Sequence, residues 1–167
     1  MRRKGKAYQS RSKDKQAGRG FIRNRVSIDE RLSIVERKTS FTVSMRVDDK
    51  SAKSVTAATI ALLKPFEGAI FTITADNGKE FAHNEVMTEY LKCEVYFADP
   101  YCSWQPGLNE NTNGILRQYW PKSTDFKNVS QSEVEDVIVK LNDRPRKKLN
   151  YKTLAKLMAE HMVAIAS

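Results

Sequence analysis

Two acids and one cation stand out by type and spacing. Asp76 follows the run AIFTITA (69–75) and opens the triplet Asp76-Asn77-Gly78. Glu110 lies in GLNENTNGILRQYW among Asn109, Asn111 and Asn113, and Arg117 follows it by seven residues. Seven residues are two helical turns, so Glu110 and Arg117 share a helix face, with Asn113 and Gly114 between them. Carboxylates on separate elements can converge on divalent metal. Mg²⁺ takes hard oxygen donors and keeps several waters, and two-metal phosphoryl transfer uses such ligands. A cation on the same face can hold a phosphate beside them. Plainer explanations stand next to these. Asp-Asn-Gly is ordinary turn chemistry, and an acid in a helix's first turn is favoured by the macrodipole. The sequence offers no zinc-type His/Cys cluster, no P-loop and no nucleophile elbow. His83 and His161 are isolated, and Cys93 and Cys102 read as free thiols. Trp104 and Trp120 flank the Glu110 helix, where packing is a simpler role than base stacking.

The elements that must position these residues can be read from periodicity. Residues 34–47 predict a β-hairpin, since Phe41, Val43, Met45 and Val47 alternate with polar residues. Asp48, Asp49 and Ser51 offer N-cap chemistry for a helix over 52–63 that ends before Pro65. A buried strand over 69–75 brings Asp76 to its C-terminal end, the edge where open α/β sheets build their sites. A helix over 84–92 and a strand over 94–98 complete a parallel crossover unit. After a Pro- and Gly-containing loop, helices are predicted over 109–119 and 131–142. Ser130 and Glu133 have capping-box spacing at the start of the second.

The chain has 167 residues, of which 40% are hydrophobic and 29% charged, the composition of one soluble globular domain. No run approaches the ~18 apolar residues of a membrane span. No secretory signal is recognisable and two cysteines make no disulfide framework, so a cytoplasmic setting is expected. Net charge is +9. Residues 1–25 carry ten bases (Arg2, Arg3, Lys4, Lys6, Arg11, Lys13, Lys15, Arg19, Arg23 and Arg25) against Asp14 alone, while 26–167 hold 19 bases and 19 acids. The composition predicts a basic disordered arm over 1–25 on an electrically balanced domain. Such an arm suits a polyanion, because each neutralised phosphate releases counterions.

Three segments, ITADNGKEFAHNE, YFADPYCSWQPGLNENTNGILRQYWPK and LNDRPRKKLNYKT, together resemble bacterial insertion-sequence transposases of the IS-thirty family. These are DDE enzymes with a retroviral-integrase-like catalytic core. The resemblance covers about residues 20–153. It implies an α/β fold of the RNase H-like type, a mixed sheet with flanking helices, and a function in DNA integration and transposition through metal-dependent DNA cleavage and strand transfer. By that resemblance Asp76 is the second and Glu110 the third catalytic and metal-binding carboxylate. Their 33-residue separation and Arg117, seven after the Glu, match the family. Mg²⁺ is the implied cofactor and DNA the implied partner, contacted by Arg117 and by the arm residues Arg2, Arg3, Lys4, Lys6 and Arg11. A homo-oligomer is left open, and no membrane partner is implied.

One departure qualifies that implication. The family carries its first Asp on the first core strand, in a segment resembling W-E-G-D-T. Here VSIDERL (26–32) runs directly into SIVERKTSF (33–41), so that strand and its Asp are expected to be missing. Asp29, Asp48 and Asp49 do not occupy the matching place. The N-terminal helix-turn-helix region of such transposases is not recognisable either. The expected organisation is an arm (1–25), an incomplete core (26–153) and a divergent C-terminal tail (154–167). The expected activity is that of a transposase core defective in this copy, the alternative being a non-catalytic DNA-binding or inhibitory remnant.

Overall fold

The computed structural model describes residues 21–23, 31–75, 78–97, 107–121 and 123–166, with the backbone alone at 21–23, 107, 109, 110 and 166. Five strands form one sheet: β1 (Phe21–Arg23), β2 (Arg31–Glu36), β3 (Thr42–Arg46), β4 (Thr72–Ala75) and β5 (Glu94–Phe97). Their spatial order is β3-β2-β1-β4-β5. β1 is antiparallel to β2 and parallel to β4, and β4 is parallel to β5. The helices are α1 (Ala52–Leu63), α2 (Asn84–Leu91), α3 (Gly107–Leu116), α4 (Gln131–Asn142) and α5 (Leu154–Ala166).

The hairpin, the crossover unit and the helices over 52–63, 84–92 and 131–142 follow the sequence pattern closely. α1 starts at Ser51, whose side chain accepts from Ser54 N. α4 carries the full capping box between Ser130 and Glu133. α3 begins two residues earlier than expected and ends at Leu116, three residues early. Residues 154–167, expected as a divergent tail, contain α5, which buries Leu154 and Met158.

Every residue of β2 is buried, so the strand is covered on both faces. Leu32 and Ile34 pack with α1 and α2 residues such as Val55, Leu63, Met87 and Leu91. On the other side α3 and α4 share a separate cluster of Leu116, Phe126, Val134, Ile138 and Leu141. There the sheet presents Arg31 and the paired hydroxyls of Ser33 and Ser44, 3.0 Å apart. Helix α4 lies along β3, and its two terminal residues serve that strand's backbone. Gln131 Oε1 accepts from Arg46 N at 2.9 Å. Asn142 Oδ1 accepts from Thr42 N at 3.0 Å, and Asn142 Nδ2 donates to Thr42 O at 2.8 Å. A 12-residue helix of ~18 Å and a five-residue strand of ~17 Å match in length, which allows one side chain at each end to cap the sheet edge.

β1 overturns one expected boundary. Phe21–Arg23 belongs to the stretch read as arm (1–25), yet it pairs on both sides in the middle of the sheet. No added sequence appears between Leu32 and Ile34, which lie inside β2. The middle of the sheet, between β2 and β4, is held by this three-residue segment. Its backbone groups complete ladders that β2 and β4 would otherwise leave open, and the cost of open ladders explains why a short, polar-flanked segment is recruited.

Candidate active site

Strand β4 owes its position to Ile73 and Ala75, both fully buried, and to β-branched Thr72 and Thr74. It runs parallel to β1 and β5, with Ile22 opposite Ile73 and Ala75 opposite Phe97. The C-terminal ends of three strands therefore share one sheet edge, the edge at which parallel sheets assemble sites. β4 ends at Ala75, one residue before Asp76 in the chain; Asp76 itself lies outside the described residues.

Helix α3 leans against β2. Thr112 and Leu116, four residues apart, turn inward and are buried, which fixes the roll of the helix. Glu110 is in the helix backbone, and its side chain lies outside the described residues. Asn113 is half-buried. Gly114 is exposed, with open space where a Cβ would stand. Arg117 is exposed just past the helix end, its N–H donating to Asn113 O at 3.0 Å. Glu110 and Asn113 thus belong to α3, and Arg117 follows its last residue, Leu116. The arm residues Arg2, Arg3, Lys4, Lys6 and Arg11 lie outside the described residues, as does Trp104.

Two other groups, at opposite ends of β2, were not singled out by sequence. Arg31 is buried on β2, its guanidinium 5.1 Å from the Trp120 ring and 5.5 Å from the Phe126 ring. Stacking against aromatic faces is favourable for a desolvated cation. It also gives Trp120 a packing role, as expected. Glu36 is the carboxylate on the strand beside β1, opposite Ile22 in register. Its oxygens are occupied: they accept from Lys38 N (2.8 Å), Thr39 N (2.6 Å) and Thr39 Oγ1 (2.6 Å). Glu36 closes the hairpin turn. The pattern E-x-x-T with polar neighbours was the available signal, and it reads equally as a plain turn.

The other acids near the hairpin have local partners too. Asp48 pairs with Arg46 at 2.9 Å, and Asp49 accepts from Ser51 N at 2.8 Å. These hydrogen bonds from Ser51, with one from Ser54, hold the Asp49 carboxyl below its usual range. A two-metal centre needs an anionic group bridging the ions. β1, in the central place, supplies Phe21, Ile22 and Arg23, none of which is an oxygen donor through its side chain. Among the described residues no group of three His, Cys, Asp or Glu is placed to hold a metal. Asp76 and the Glu110 side chain lie outside those residues.

The chain is 39% identical to the transposase for insertion sequence element IS4351 of Bacteroides fragilis, over 100% of this chain and 60% of the relative. It is 40% identical to transposase InsI for insertion sequence element IS30A of Escherichia coli, over 72% of this chain and 32% of that protein. A putative integrase ORF3 of Spiroplasma virus SpV1-R8A2 B is 31% identical over 72% of this chain and 38% of its own length. The first match extends over 198 positions against 167 residues, so 198 − 167 = 31 positions find no counterpart here. No protein-family model matches the chain. Among solved structures, the catalytic core domain of BIV integrase superposes with a TM-score of 0.64 at 16% identity, covering 88% of this chain and 99% of that one. A chain of the simian T-cell lymphotropic virus intasome in complex with PP2A regulatory subunit B56 gamma gives 0.59 at 16% identity, over 75% of this chain and 52% of that one. By fold, then, this is a retroviral-integrase-like, RNase H-like domain, and by sequence it is a homologue of insertion-sequence transposases, those of the IS-thirty family among them.

Proposed function

We propose that the chain is a DNA transposase core, of the type that cleaves DNA and transfers strands with divalent metal such as Mg²⁺, and that this copy does not carry out the reaction. The observation that carries the second half is β1: the central strand position is filled without a carboxylate. The unmatched positions against the Bacteroides fragilis relative support a deletion inside the core. Asp76 and Glu110 would remain as two of three ligands, with Arg117 on the Glu110 face to hold a phosphate.

What survives such a loss is binding. The basic residues of the N-terminal segment, Arg2, Arg3, Lys4, Lys6 and Arg11 among them, suit the DNA backbone irrespective of its sequence. A non-catalytic DNA-binding or inhibitory remnant is therefore the second reading, favoured by the same carboxylate-free strand. A homo-oligomer fits either reading.

The deciding experiment is strand transfer by the purified chain on supercoiled DNA with Mg²⁺ or Mn²⁺. No product is expected. Product that disappears in both Asp76→Ala and Glu110→Ala would mean that another residue has replaced the missing Asp, and would overturn the inactive reading.

A further inference from the structure

The loop between α4 and α5 concentrates positive charge, with Asp143 at its start as its one acid. From Arg144 to Ala159 the chain carries Arg144, Arg146, Lys147, Lys148, Lys152 and Lys156 and no acid, inside a domain (26–167) whose 19 bases and 19 acids balance only with these six included. The loop is built. Arg146 N donates to Lys152 O at 3.2 Å, and Tyr151 N donates back to Arg146 O at 3.0 Å, which closes the segment on itself. Leu149 N and Lys152 N bond to Arg146 O and Leu149 O, both at 2.9 Å. Two successive residues, Asn150 (φ 50°) and Tyr151 (φ 60°), hold the left-handed conformation that this closure needs. One end is pinned by Asn142 on the β3 edge and the other by buried Leu154.

Lys152 is used internally, bridging Glu160 at 2.9 Å. Arg144, Lys147 and Lys148 are exposed and make no ion pair among the described residues, and Tyr151 beside them is 69% exposed. Holding three like charges on a closed loop is unfavourable unless a polyanion takes them up. A pre-closed loop also loses little entropy on binding.

We propose that the loop Arg144–Lys152 is a DNA-backbone contact, separate in the chain from the N-terminal arm, in which Arg144, Lys147 and Lys148 neutralise phosphates of duplex DNA. The proposal rests on the reading of this chain as a DNA-acting core, and it locates a surface for that role. Duplex DNA fits better than an acidic peptide, since one charge per ~1.7 Å of helix axis rewards clustered cations in any sequence.

The test is equilibrium binding of the full chain to a short labelled duplex of arbitrary sequence between ~50 and ~200 mM salt, with affinity plotted against salt on logarithmic axes. Each neutralised phosphate contributes ~0.9 to the slope. The double variant Lys147→Ala/Lys148→Ala should flatten the slope by about two units. Lys50→Ala/Lys53→Ala, which removes the same charge from exposed positions at the start of α1, should leave it unchanged. A Lys147→Gln/Lys148→Gln pair guards against a folding defect and should behave as the Ala pair does. DNA binding with an unchanged slope in both loop pairs overturns the loop contact and leaves the DNA-acting reading intact. No salt-dependent DNA binding by the parent chain overturns both. Tighter binding to duplex RNA at every salt, lost in the loop variants, overturns the assignment to DNA.

Discussion

Glu133 and Cys93 show how local environment sets the state of a titratable side chain. Backbone and side-chain hydrogen bonds from Ser130 lower the Glu133 pKa, because they stabilise the charged form. A lowered acid contributes stability above its unfolded pKa and loses it as pH falls through the folded value. The Glu133→Gln variant should therefore be less stable than the parent at neutral pH, with the gap closing as the pH falls below about 4 in thermal melts. Cys93 is buried, and desolvation pushes its thiol up to about 11. In a Cys102→Ser variant, a thiol reagent near pH 8 should label the chain only in step with unfolding; fast labelling in the native state would contradict the burial. The capping box was legible because a Ser and a Glu three apart specify it locally. The placement of Arg31 was not. A lone arginine before a hydrophobic run carries no sign that two aromatics nearly ninety residues on will stack against it.

At the scale of elements, the pairing of α4 with β3 makes a sharp prediction. Asn142 satisfies both backbone groups of buried Thr42. Asn142→Leu should keep the helix but leave an N–H and a C=O without partners, at ~1–3 kcal/mol each. Urea unfolding should show a loss of about 2–6 kcal/mol by that reckoning, against a loss under ~1 kcal/mol for the exposed control Asp143→Ala. Alternation and helical periodicity located the hairpin, α1, α2, β5 and α4, since each is amphipathic within its own residues. The same signals could not locate β1. Phe21-Ile22-Arg23 is too short to show a period, and its reason for being a strand lies in β2 and β4. Nor was α5 foreseen, because residues 154–167 read only as a tail, and the burial of Leu154 and Met158 depends on the rest of the fold.

For the whole molecule, the sheet is two local units joined by one seam. The β2–β3 hairpin and the β4–α2–β5 crossover are each contiguous in sequence, and among the described strands only β1 pairs with both. Ile22→Pro removes an N–H at the centre of that seam. It should lower stability by at least ~1–3 kcal/mol and loosen the pairing of β1 with β2 and β4, read as faster amide exchange on the edges of both strands that face β1. An unchanged exchange pattern would mean that β1 does not bind the halves together. Asp76 follows β4 in the chain, while Glu110 belongs to α3, the helix that leans against β2. Restoring a family-type strand would thus mean displacing β1, and an insertion between Leu32 and Ile34 would break β2; the productive point lies before Arg31. The seam also sets a timetable. During synthesis β1 is made first, yet its second partner begins 51 residues later (72 − 21). The hairpin and the crossover can each close early, and the molecule becomes one body only when its earliest-made strand is finally enclosed. Until then β2 and β4 each present an unpaired edge, so this fold spends its assembly in the form most open to pairing with the wrong chain.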